Sequence, residues 1–180
     1  MKEYKKFFPY AVTLALTYFG FLCLNIPYFV AGGVTISGYS SLSLWIFGFG
    51  WSGILVSLLQ IFEVLVMVGI LMYSALGIFL LVLAKAKGKE APQFLSKLML
   101  LLLLVNLSLD FLVLTLGIIM VIVTKNEWMN TVGLSAGLFL KIMFDAGALV
   151  GLILGSHFMG RQHANGEETK TVDTEQNDDK

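Results

Sequence analysis

Four ionisable residues, Glu63, Asp110, Lys141 and Asp145, interrupt long apolar runs, and they are the side chains of this sequence best placed to do chemistry. A charge at the centre of a bilayer-spanning helix costs roughly 2.5–3.5 kcal/mol, so such residues persist where they face protein or water. Carboxylates and an ammonium in that setting hold protons, bind a cation or neutralise one another. One lysine cannot neutralise three acids. The excess must be protonated or bound to a cation, and either outcome makes the site sensitive to pH or ions.

Spacing places the four in one layer. Glu63 lies 12 residues in from Trp51, Asp145 lies 13 in from Val132, and Asp110 lies 13 before Val123. At 1.5 Å rise per residue, all three carboxylates come out about 18–20 Å from the outer ends of their helices. Lys141 is one turn further out than Asp145 on the same helix. Asn106, Asp110 and Gly117 fall in a narrow arc of the third apolar segment, at helical period, and Asn106 joins the polar layer. Ser52, Glu63, Ser74 and Gly77 make a comparable stripe on the second, with Gln60 at its edge. On the fourth, Gly133, Gly137, Gly147, Gly151 and Gly155 line one face within about 80°. Small residues let helix backbones approach, so this face is read as a packing seam. Its expected neighbour is the second or third span, or another subunit. Tyr18 and Asn25 share a face of the first span and are expected to point inward.

A structural role competes with the chemical one. Lys141 and Asp145 at i and i+4 can simply pair, Lys141 can snorkel outward, and neutral acids can each make one interhelical hydrogen bond.

The elements that must position these residues follow from hydropathy. The 180-residue chain is 57% apolar and only 13% charged, and it has no charged residue between Lys6 and Glu63. A small soluble domain has too much surface to hide such a run. A span needs about 20 apolar residues, and lipid leaves the backbone little choice but helix. Four segments qualify, over about 8–30, 51–84, 95–123 and 132–159. The first is expected to be an uncleaved span, because Phe29 is too bulky for the nearest signal-cleavage site. The fold expected is an all-α membrane protein, a bundle of four transmembrane helices over residues 1–160.

Connections and tail have their own characters. Residues 31–50 are uncharged and rich in glycine and in aromatics such as Tyr39, Trp45 and Phe47, which suits a loop at headgroup depth. Trp128 is expected to anchor the third connection. Residues 161–180 have almost nothing to bury and are expected to be disordered. Lys2, Lys5, Lys6, Lys85, Lys87, Lys89, Lys97 and Arg161 fall on one side and Lys125 on the other. Both termini are therefore expected in the cytoplasm, and the chain in the cell membrane.

Several functions are excluded. A formal net charge of zero argues against nucleic acid as a partner;. The single cysteine, Cys23, rules out an intramolecular disulfide, a thiolate zinc site and a CxxC redox centre;. The glycines of residues 48–53 follow a membrane loop and do not form a nucleotide site. No cofactor, metal or catalytic motif is expected.

In span count, and in Asp110-Phe111 and Phe144-Asp145-Ala146, the chain resembles the lipoprotein signal peptidases, a resemblance that would imply an aspartate pair for catalysis. The Asn-Arg motifs of those enzymes are absent and the one arginine is Arg161, so membership is not adopted. Three readings remain. The first is movement of protons, ions or a small polar solute along the acidic layer, by an oligomer. The second is a non-catalytic accessory, immunity or regulatory subunit that binds another membrane protein through the glycine seam. The third is an intramembrane hydrolase using Asp110 and Asp145. The partners implied are the lipid bilayer and either further copies of the chain or another membrane protein.

Overall fold

The computed structural model describes residues 7–31, 34–42, 50–87, 94–125 and 132–175. The chain runs α1 (Phe8–Leu22), a 3-10 turn (Cys23–Asn25), β1 (Pro27–Ala31), β2 (Val34–Ser37), α2 (Gly38–Ser41), α3 (Gly50–Ala86), α4 (Phe94–Lys125), β3 (Val132–Leu134) and α5 (Ala136–Glu175). It is mostly helical. Four helical segments are long and apolar enough to cross a membrane: Phe8–Asn25, Trp51–Ala84, Leu95–Val123 and Ala136–Gly155. The middle two agree with the sequence-based limits. Trp45, Phe47 and Trp128, expected at the interface, lie outside the described residues.

The four long helices pack α1 on α5, α5 on α4, α4 on α3 and α3 on α1, a closed ring of neighbours. Their outward faces are apolar. Trp51 is 83% exposed, Met72 71% and Met143 70%, a surface that suits lipid and would be costly in water;. The interior has two apolar clusters. One, at the sheet-bearing end, includes Leu24, Tyr28, Phe29, Val56, Val113, Met120 and Leu138. The other, toward the opposite end, includes Tyr10, Ile70, Leu81, Leu95, Met99, Leu103 and Leu152.

The first span is shorter than expected. Its helix gives way at Asn25 rather than Val30, because Ile26 precedes Pro27 and adopts extended backbone, φ −85° and ψ 148°;. The chain then turns into a strand. β1 pairs antiparallel with β2 (Phe29 opposite Ile36, Val30 opposite Thr35) and with β3 (Phe29 opposite Leu134, Val30 opposite Gly133). The expected all-α bundle thus carries a three-stranded sheet, ordered β2-β1-β3, which brings the first and third connections together at one end. A register shift between Pro27 and Phe29 explains why the consecutive residues Tyr28 and Phe29 are both fully buried, where a regular strand would alternate faces;. Ser37 caps α2 by accepting a hydrogen bond from the Ser40 N–H at 3.2 Å;.

The fourth helix starts at Ala136 rather than Val132, since Val132–Leu134 pairs with β1. At its other end α5 continues to Glu175, past Met159 and into the polar segment expected to be disordered.

Candidate functional site: a lysine among three buried carboxylates

The charged layer is a single cluster. Lys141 Nζ makes ion pairs with Glu63 Oε1 on α3, Asp110 Oδ1 on α4 and, at 2.7 Å, Asp145 Oδ2 one turn along α5. The contacts with Asp110 and Asp145 also meet hydrogen-bond geometry, whereas Glu63 Oε1 is held by charge alone. An ammonium has three donors, and here it meets three carboxylates. Lys141 and Asp110 are 0% exposed, and Glu63 and Asp145 1%. Lys141 does not snorkel. Its stem is directed into the bundle, where it reaches α4, its neighbour in the ring, and also α3.

Helical period explains the convergence. Glu63 shares the inward stripe of α3 with Gln60, Ser74 and Gly77, and Asp110 shares that of α4 with Asn106 and Gly117; all are buried. α1 closes the remaining side at Gly20, where a Cβ would lie 3.1 Å from Asp145 Oδ1. A larger residue there would press on the carboxylate.

The second oxygens matter as much as the first. Asp110 Oδ2, Asp145 Oδ1 and Glu63 Oε2 are buried and have no hydrogen-bond partner among the described residues. Three carboxylates around one ammonium leave an excess of two negative charges if all are ionised. Uncompensated charge in so dry a place is very costly, so the excess calls for protons.

No family model, curated protein or solved structure matches the chain. Its chemistry must be read from its own geometry.

Asn106 is fully buried one turn from Asp110, toward the end opposite the sheet. Neither of its amide atoms has a hydrogen-bond partner among the described residues. It does not join the ion pairs but extends the polar axis beyond them. Thr17 and Thr13 on α1 do the same; both are 0% exposed with unpartnered hydroxyls. Sequence reading missed these threonines because Thr is unremarkable in an apolar helix, although 13, 17 and 20 share one helical face. The residues expected inward on α1 do the reverse. Tyr18 is 52% exposed, and Asn25 is exposed with its amide on the Leu22 carbonyl at 3.2 Å.

The glycine seam meets α1, a neighbour the sequence reading did not consider. A Cβ on Gly155 would lie 2.8 Å from Pro9, on Gly151 2.9 Å from Val12, on Gly147 3.5 Å from Leu16, and on Gly137 2.6 Å from the Pro27 carbonyl oxygen. The seam therefore holds α1 against the helix that carries Lys141 and Asp145, and α1 covers it against a second protein. Gly133 is not part of it, because it lies in β3 and nothing stands within 4 Å of its Cβ position.

Among the described residues no group of three His, Cys, Asp or Glu side chains is arranged to hold a metal ion. The ammonium of Lys141 stands where the carboxylates converge.

Proposed function

We propose that this chain is a multi-pass membrane protein that takes up and releases protons at the Lys141 cluster in the course of moving protons, or an ion or small polar solute coupled to them, across the membrane. The observation that carries this reading is the burial of three carboxylates on one ammonium. The cluster must bind protons to balance its charge, and a change in shape or hydration that alters the pairing would release them. Protons fit better than a larger solute, because Met67, Ile70, Met99 and Leu103 fill the bundle interior. A path wide enough for a hydrated ion would need an oligomer or a large rearrangement. The hydrolase reading is the weaker one, since both aspartates are already engaged by the same lysine.

The test is flux. Purified protein in liposomes loaded with a pH-reporting dye, under an imposed potassium diffusion potential, should change lumenal pH faster than empty liposomes. Glu63→Gln, which keeps the shape and removes the charge, should slow that flux roughly tenfold or more. Wild-type liposomes indistinguishable from empty ones would sink the proposal.

Both termini belong in the cytoplasm on this reading, with the sheet outside the cell membrane. Support comes from the sheet, which joins the first and third connections at one end, while Lys87 and Lys97 flank the second. In intact cells an impermeant amine label should modify Lys125 and spare Lys87 and Lys89. The opposite pattern would invert the orientation.

A further inference from the structure

We infer that the Lys141 cluster exchanges its protons with water at the sheet-bearing end, by way of Gln60, with water bound between the Gln60 amide, the Tyr28 hydroxyl and Glu63. This rests on the proton-handling reading and adds to it a side of access and the residues that form it.

Ser37 and Ser40 are linked through their hydroxyls at 3.1 Å beneath the sheet, and Ser40 is exposed. The next residue, Ser41, is fully buried, with its single hydroxyl proton shared between the Gly38 carbonyl at 2.6 Å and Gln60 Oε1. Ser57, one turn before Gln60 on α3, donates to the Ser41 carbonyl at 3.0 Å. Ser41 and Ser57 thus form a hydrogen-bonded group around Gln60, and Ser41 directly follows the exposed Ser40 in the chain.

Gln60 then stops short of a partner. Among the described residues its Nε2 has none, although the residue is 1% exposed, and the Tyr28 hydroxyl has none, although that residue is 0% exposed. Glu63 lies three residues further along α3, about 4.5 Å in rise and about 60° round the helix. Its Oε2 is unpartnered too. Tyr28 enters from β1 and packs in the apolar cluster at the sheet-bearing end, with its hydroxyl buried. Asp110 and Asp145 join Glu63 through Lys141. A buried water needs two to four polar partners, and on this inference the Gln60 amide, the Tyr28 hydroxyl and Glu63 Oε2 supply them and link Gln60 to the cluster;.

The opposite end is built differently. Thr17, Thr13 and Asn106 continue the polar axis, but their side chains make no hydrogen bond among the described residues. Beyond them Ile70, Met99, Leu103 and Leu152 close the bundle with apolar surface. The hydrogen-bonded serines around Gln60 lie on the sheet side.

Infrared difference spectroscopy on the protein in lipid bilayers tests this. A switch from H2O to D2O shifts the carbonyl stretch of a protonated carboxyl, and loss of that band in Glu63→Gln or Asp110→Asn assigns it to the cluster. Gln60→Leu should lengthen the half-time of the shift roughly tenfold or more, an effect of the size expected from one lost hydrogen bond or somewhat more. Ser57→Ala should act in the same direction. Thr13→Val at the far end should leave the rate unchanged. Equal rates in Gln60→Leu and wild type, or slowing by Thr13→Val alone, would overturn the Gln60 route while the proton-handling reading stands. Absence of any protonated cluster carboxyl in the wild type would overturn both.

Discussion

Lys141→Met is expected to lose roughly 3–5 kcal/mol of stability, because it leaves buried carboxylates without their counter-charge. The companion variants decide the cause. Adding Asp145→Asn to Lys141→Met should recover part of the loss, and adding Glu63→Gln and Asp110→Asn should recover more. A double-mutant cycle for Lys141 with Asp110, and another with Glu63, should show coupling well beyond the few tenths of a kcal/mol seen for independent sites. Acidification neutralises carboxylates left without a counter-charge, so the single variant should approach the wild type as pH falls. Unfolding in mixed micelles as a function of detergent composition measures all of these. Additive losses across three helices would mean that the four residues do not share one site.

Gly137→Ala is expected to be nearly as damaging. The added methyl would lie 2.6 Å from the Pro27 carbonyl oxygen and 3.0 Å from the Ile26 Cβ, which belong to the link between α1 and β1. Backbone cannot swing aside as a side chain can, so the helix must move away. A loss of roughly 2–3 kcal/mol follows from overpacking of this kind. The displacement would also shift Lys141, one turn along α5, and proton flux should fall with stability. Gly69 is the control. Nothing stands within 4 Å of its Cβ position, so Gly69→Ala should stabilise α3 by roughly 0.5–1 kcal/mol through helix propensity;. If both substitutions behave alike in the same unfolding titration, close approach of α1 and α5 is not what places the charges.

The cluster has a structural consequence for any motion that serves transport. Lys141 and Asp145 lie on the helix that follows β3, and β3 is hydrogen-bonded to β1, which follows α1. The sheet thus ties the two helices of the glycine seam together at one end. Glu63 and Asp110 belong to the other pair, α3 and α4, which pack closely on each other. Separation of these pairs would break the contacts of Lys141 with Glu63 and Asp110 and leave the one with Asp145, since that pair lies on a single helix.

Much of this was legible in the sequence. Apolar runs long enough to span lipid, and the absence of charge from Lys6 to Glu63, specify the four helices, because backbone in hydrocarbon must satisfy itself;. Glu63, Asp110, Lys141 and Asp145 stand out for the same reason, since each breaks a pattern that lipid enforces. Their common depth follows from the fixed rise of a helix. Asn106 and the stripes that face inward follow from its period.

What the sequence could not decide was which faces meet. Helical period tells which residues share a side, but a bilayer gives every helix the same apolar surroundings, so partner choice rests on the fit of side chains across the bundle. Only the tertiary structure seats α1 on the glycines of α5, moves Gly133 into a strand and turns Thr13 and Thr17 inward in place of Tyr18. The sheet was hidden because its strands are short, and because its β1–β3 pairing joins residues about a hundred positions apart, which no local pattern records. The same holds for Gln60, Tyr28 and Ser41. Each is an ordinary polar residue in sequence, and it gains a role only where folding removes it from water beside a charge.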